Sequence, residues 1–200
     1  MNESVRQQVL ALARRFDFEA GHSFQDAKLA RLLFEQTYDL HGLTDEYAEL
    51  LEYAAILHDI GYWYDYEDHH KHAYRMIMDA DLPALTGREK TIVANVARYH
   101  RSGRPKPSHK GFAALDPDDR EVVRMLGSIL RLADGLDRSH TDAVDDLAVE
   151  WMAGTMIVWL YPPTGNWAEE WAGQKKSRFF QEVFDVPVRV LSARDSRLST

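Results

Sequence analysis

Three histidines and a pair of aspartates in this sequence stand where a helical protein would ordinarily place apolar side chains. Residues at i, i+3, i+4 and i+7 share one face of an α-helix. On that spacing His22 continues Leu29, Ala30 and Leu33, and His58 continues Leu51, Ala54 and Ala55. His100 follows Val93 and Val96, and Asp134 continues Val123, Leu126 and Leu130. Each polar group is therefore aimed into apolar surroundings from a different helix, and Asp59 adds a second carboxylate at the end of the helix that carries His58. A buried carboxylate without a partner is costly, and one group that would satisfy all of these side chains is a divalent cation. Imidazole together with carboxylate suits Zn, Mn, Fe, Co or Ni better than an ion that takes oxygen alone. Taken singly, an inward histidine is more often a hydrogen-bonded core residue, and an inward aspartate at a helix end is often a cap or half of a salt bridge. The convergence of several points to a metal, and so to activation of water for hydrolysis.

Composition narrows the chemistry further. The 200 residues include no cysteine, which excludes disulfides, thiol nucleophiles and iron–sulfur or cysteine–zinc sites, so a metal must be held by His, Asp or Glu. The formal net charge of −8 argues against general nucleic-acid binding and against an anionic membrane surface. No apolar run approaches the ~20 residues of a membrane span, and the N-terminal residues lack the basic-then-apolar pattern of a secretory signal. The expected compartment is the cytoplasm.

The elements that must position these side chains are helical up to about residue 142. Apolar spacing predicts helices over 2–16, 22–38 and 45–58, and a fourth from near His69 to Ala80. Thr86 and Glu89 form a capping box opening a helix that runs to about His100, and Asp116-Pro117 reads as the start of one running to about Asp134. From 143 to 200 the character changes. LAVEW and TMIVWLY read as strands joined by a hairpin at Met-Ala-Gly, NWAEEWAGQKKSRFFQEVF as one helix with Trp171, Phe179 and Val183 on one side, and VPVRVL as a last strand. The expected architecture is a mainly α helical bundle, residues 1–142, with a small α+β appendage in the order strand–strand–helix–strand, residues 143–200. Four of the five tryptophans lie in the appendage and are expected in its core or at its seam with the helices.

An early helical His22, then His58-Asp59 in AAILHDIGY, then Asp134 in LRLADGLDRSH resembles the HD superfamily of metal-dependent phosphohydrolases. More narrowly, HDIGYWYDYEDHHKHAYRMI, ARYHRSGRPKPSH and ILRLADGLDRSH resemble the C-terminal HD domain of the exopolyphosphatase/guanosine-pentaphosphate phosphatase family. The resemblance implies an all-helical HD core with His22, His58, Asp59 and Asp134 as ligands of one divalent metal, drawn from Mn, Fe, Ni, Co, Zn or Mg. That family cleaves polyphosphate in actin-like N-terminal domains, which this sequence does not resemble. Polyphosphate hydrolysis is accordingly not expected of it.

Some HD relatives hold a second metal through further histidines, and His69 and His100 fit those positions, with His70 and His72 competing with His69. Where dinuclear relatives often carry one more histidine, Arg101 stands here. Asp59 and Asp134 are the candidate catalytic carboxylates, fixing the metal and orienting water. Candidate partners for a substrate phosphate are Arg101 and Arg138, each within a turn of a ligand, and Lys71. The expected activity is metal-dependent hydrolysis of a phosphomonoester or phosphoanhydride in a nucleotide or related small molecule. The alternative is a non-catalytic module of the same fold that senses a phosphorylated ligand such as a guanine alarmone. Either reading is compatible with a monomer or a homodimer.

Overall fold

The computed structural model describes residues 3–162 and 165–193. Its helices are α1 (Glu3–Arg14), α2 (Ala20–Gln36), α3 (Tyr38–His41), α4 (Asp45–Leu57), α5 (His69–Asp79), α6 (Gly87–Arg98), α7 (Lys110–Ala113) and α8 (Pro117–Leu136). A 3-10 turn, Ile60–Trp63, lies between α4 and α5. The strands β1 (Asp146–Met152) and β2 (Thr155–Tyr161) follow, then α9 (Trp167–Lys176), α10 (Arg178–Phe184) and β3 (Val188–Ser192). The chain is mainly α with a small mixed sheet, as the patterning predicts, although the last seven residues of the expected appendage lie outside the described ones.

The helices form because their apolar stripes meet. Leu29, Leu33, Leu51, Ala55, Val93, Val96, Leu126 and Leu130 are fully buried in one cluster, contributed by α2, α4, α6 and α8. At ~25 cal/mol per Å² of apolar surface, that burial is what holds the bundle together. The capping box is present in full: Glu89 N–H donates to Thr86 Oγ1, and Thr86 N–H donates to Glu89 Oε2. Pro117 opens α8, while the Asp116 side chain makes no capping bond. Gly135 does not end α8, which continues through Leu136.

β1 and β2 are an antiparallel hairpin with Met152 opposite Thr155, closed by Ala153-Gly154. The chain then crosses over through α9 and α10, so β3 pairs parallel to β2 in the order β1-β2-β3. Met156, Val158 and Leu160 of β2 and Val188 and Val190 of β3 join the helical core.

Two expectations for this region fail. The single helix over 167–184 breaks at Ser177, which is buried and turns its hydroxyl back to donate to Gln174 O. The break re-aims α10, so that Phe179 and Phe180 are buried while Trp171 is left outside. Nor do the tryptophans build the core. Trp151, Trp167 and Trp171 are exposed, and Trp159 lies on the outer side of β2 with its indole N–H donating to Glu150. Strand alternation turns Trp151 and Trp159 outward from β1 and β2, and Trp167 and Trp171 lie on the outer face of α9.

Candidate metal centre

The buried polar residues of five helices and their flanking turns meet at one place. His22 and Asp26 lie one turn apart on α2, His58 ends α4 with Asp59 next to it, His69 opens α5, His100 follows α6, and Asp134 lies in the last turn of α8. The turn that carries the chain from His58-Asp59 to His69 depends on Gly61. A Cβ there would lie 1.9 Å from the His69 carbonyl oxygen and 2.7 Å from Ala73 N, so only glycine lets the turn lie against α5.

The imidazoles share one orientation. Nδ1 of His58 donates to Ala55 O at 2.7 Å, that of His69 to Tyr66 O at 2.7 Å and that of His100 to Ala97 O at 2.6 Å. Carbonyl oxygens only accept, so each Nδ1 carries a proton and each Nε2 is the nitrogen turned toward the cluster. His22 follows the same rule with a carboxylate, its Nδ1 donating to Asp137 Oδ2 at 2.8 Å. Fixing the ring through its other nitrogen is how proteins prepare a histidine to ligate a metal.

The four Nε2 atoms converge on aspartates. Asp59 Oδ2 lies 3.2 Å from His58 Nε2 and 3.9 Å from His22 Nε2, while its Oδ1 lies 3.3 Å from His69 Nε2 and 3.4 Å from His100 Nε2. Asp26 Oδ2 is 3.5 Å from both His22 and His58, and Asp134 Oδ1 is 3.9 Å from His22. Despite this crowding, both Asp26 oxygens, Asp59 Oδ1 and His58 Nε2 are buried without a hydrogen bond. Ligand atoms around an ion at ~2.1 Å stand roughly 3.0–3.4 Å apart; the approaches of His58, His69 and His100 to Asp59 fall in that range, and those made by His22 and by Asp26 are longer. The set His22, Asp26, His58 and Asp134 could hold a metal ion, and so could His58, Asp59 and His100.

The same crowding sets the charge balance. Burial pushes the His58 imidazole towards neutrality, but the carboxylates of Asp59, Asp26 and Asp134 outweigh it and raise its pKa to about 10. Burial likewise opposes ionisation of Asp59, yet His58, His100 and His69 hold it well below the usual carboxylate range. Asp26 is pushed up by burial and by Asp134 and Asp137, and His100 is pushed down, first by burial and then by His58. The carboxylates are offset by the cations beside them. One of those cations comes from the C-terminal region: Lys176, at the end of α9, donates to Asp134 Oδ2.

A cleft of about 520 Å³ opens over these residues. Its floor includes His22, Asp59, His69, His100 and Asp134, and its walls carry Arg101, Arg138, Lys175, Lys176 and Arg178. Arg101 spans the rim, donating to Glu67 O with its guanidinium against the Tyr66 ring. Arg138 is exposed and forms no ion pair among the described residues. Lys71 is the one expected phosphate ligand that the fold turns away. It is absent from the cleft and pairs with Asp68 at 2.8 Å on the surface, because residues two apart on a helix do not share a face and His69 takes the inward one. His72 also lies outside the cluster, stacked on Tyr64.

Several residues escaped the sequence reading. Asp26 sits four after His22, a spacing that marks it, but an aspartate one turn from a histidine is common on exposed helices. Asp137 and Lys176 approach the site only through tertiary packing. His140, just beyond α8, stacks on His22 at 3.7 Å and donates to Glu19 at 2.9 Å. Arg131 is buried beneath the cleft, donating to the backbone carbonyls of Tyr99 and Gly103 and so holding the loop that carries Arg101.

Comparison with known proteins adds an independent line. A 94-residue segment is 30% identical to the guanosine-5'-triphosphate,3'-diphosphate pyrophosphatase of Vibrio vulnificus (strain YJ016), covering 46% of this chain and 19% of that protein. The protein of the same name from Pseudoalteromonas translucida (strain TAC 125) is 33% identical over 77 residues, 38% of this chain and 16% of its own length. That of Vibrio parahaemolyticus serotype O3:K6 (strain RIMD 2210633) is 27% identical over 101 residues, 50% and 20% respectively. The similarity to these curated relatives thus spans a fifth of their length or less. The family model for Ppx/GppA phosphatase, domain III, matches residues 5–170, which hold every residue of the histidine–aspartate cluster, and the chain belongs to that family.

Proposed function

We propose that this chain is a metal-dependent phosphohydrolase, cleaving a phosphomonoester or phosphoanhydride of a nucleotide or related small molecule at the histidine–aspartate cluster. The observation that carries the reading is the common orientation of the four imidazoles: every Nδ1 is tied to an acceptor and every Nε2 is left facing buried carboxylates. A hydrogen-bonded core would have no reason to leave Asp26 and His58 Nε2 without partners.

His22, His58, Asp59 and Asp134 would hold a divalent ion, with Asp26 beside them. Asp59 faces one histidine pair with each of its two oxygens, so His69 and His100 would extend the site to a second ion. When bound, such an ion supplies Lewis acidity and makes water a competent nucleophile near a pH of ~7. The protein's own groups do the rest. Lys176 holds Asp134 from the side of α9. Arg138 and Arg101 at the mouth offer guanidinium donors to a phosphate, which suits their planar, paired hydrogen-bond geometry. The name of the relatives describes hydrolysis of a guanosine phosphate, a reaction of the same class.

The sensor alternative has one observation in its favour, since Lys176 pairs with Asp134 and so engages a carboxylate that a metal would otherwise use. One experiment separates the two. Purified protein should release phosphate from members of a nucleotide panel in the presence of Mn, Co, Ni, Mg or Fe, and Asp59→Ala should abolish the release. Tight ligand binding with no turnover under any metal would leave the sensor reading standing and the enzyme reading overturned.

A further inference from the structure

Beside the cleft, α9 and β3 frame a second groove of about 690 Å³. Trp167 and Trp171 stand on its wall, one helical turn apart, 81% and 61% exposed. Water solvates a large aromatic face poorly, so two neighbouring indoles left exposed are a surface made to be covered. The Lys175 ammonium lies 5.0 Å from the centre of the Trp171 ring. Arg178 and Arg189 also line the groove, exposed and without an ion pair among the described residues. Its one carboxylate, Glu170, is already engaged, accepting from the backbone N–H and the hydroxyl of Ser192.

The floor is equally specific. Gln174 donates to Val188 O at 2.9 Å and accepts from Val190 N–H at 3.0 Å. Side chains of α9 therefore satisfy the free edge of β3, and no added strand can pair there. Trp171, Lys175 and Arg178 line both this groove and the metal cleft, so the two are continuous. A fitting occupant has a flat ring to stack on an indole and an anionic group that reaches past Lys175 and Arg178 towards the metal site.

We propose that the groove is a base-binding subsite, in which Trp171 stacks the ring of a nucleoside phosphate whose phosphate lies in the adjoining cleft. The placement of the phosphate rests on the phosphohydrolase reading, and the stacking does not. Base–aromatic stacking is sequence-tolerant and strong enough to shift affinity about 5- to 100-fold. The test compares binding of the four nucleoside 5'-monophosphates with that of ribose 5-phosphate, by calorimetry and by quenching of tryptophan fluorescence, on the full chain. At least one nucleotide should bind tenfold or more tightly than ribose 5-phosphate. Trp171→Ala should bring the two dissociation constants within about threefold of each other, and Trp171→Phe should restore most of the gap. Asp59→Ala should keep the preference for the base, which separates this proposal from the hydrolytic one. Equal binding of nucleotides and ribose 5-phosphate would overturn it, as would a gap that survives Trp171→Ala. A self-association abolished by Trp167→Ala and unaffected by nucleotide would assign the groove to a second copy instead.

Discussion

The Nε2 atoms of His69 and His100 face each other at 3.1 Å, and both Nδ1 protons are already given to backbone carbonyls. Two lone pairs held that close repel unless a proton or a cation lies between them, and burial disfavours the protonated form of both rings. A divalent ion answers the conflict. Metal analysis of purified protein and titration with Mn should therefore find tight binding. Asp59→Ala should abolish it, His100→Ala should weaken it, and the helical circular dichroism should survive in both. A well-ordered wild type with no affinity for added metal would sink the assignment.

Asp137 is fully buried and holds the His22 ring through Nδ1. Asp137→Asn should leave the fold intact and lower metal affinity by about 10- to 100-fold, the usual cost of losing such an outer partner. Calorimetric titration with Mn reads this directly. An unchanged affinity would mean that packing alone orients His22.

The spacing favours Arg138 over Lys71 as a partner for the substrate phosphate, and the fold places Arg138 at the cleft and Lys71 outside it. Arg138→Ala should keep metal content and melting temperature while lowering kcat/KM by about 10- to 1000-fold, at ~1.4 kcal/mol per tenfold. Lys71→Ala should leave kcat/KM within about twofold of wild type, since its charge is spent on Asp68 at the surface. Wild-type turnover by the Arg138 variant would rule out its role.

Gly61→Ala forces a Cβ against the backbone of His69, where no side chain can give way. The turn or the start of α5 must shift, costing about 1–3 kcal/mol of stability. The shift also parts Asp59 from His69, so metal affinity should fall together with the melting temperature. A variant as stable as wild type with full metal content would show that the contact relaxes freely.

His41, remote from the cluster, gives a stability effect whose sign can be worked out. Burial lowers its pKa below the ordinary histidine value, opposed by its bond to Phe34 O, and its Nδ1 accepts from the Leu43 N–H, which requires the unprotonated nitrogen. The unfolded chain then binds more protons than the folded one as pH falls through ~6.5, so stability falls with it. His69 and His100, also lowered, add to the slope, while His58, raised to about 10, opposes it. Urea unfolding of metal-stripped protein at pH 7.5 and 5.5 should give a smaller difference for His41→Gln than for wild type, and an identical difference would remove His41 from the account.

Much of this was legible in the sequence for a physical reason. Helical periodicity reports which side chains point inward, and His22, His58, His100 and Asp134 lay on apolar stripes that the bundle does bury or nearly bury. The capping box at Thr86 and the two-residue turn at Ala153-Gly154 are local, so a few adjacent residues suffice to specify them. The resemblance of HDIGY and LRLADGLDRSH to the HD family named the same cluster.

What the sequence could not supply are relations between distant residues. Asp137 reaches His22 across 115 positions, and Lys176 reaches Asp134 across 42. Neither distance leaves a local pattern, because both are created by how α2, α8 and α9 pack. The facing of Trp171 depended on a break at Ser177, which no periodicity within 167–184 signals. Local spacing determined which groups would be buried. Only the tertiary structure decided which of them would meet, since a helix face is a property of neighbours in sequence and a coordination shell is a property of neighbours in space.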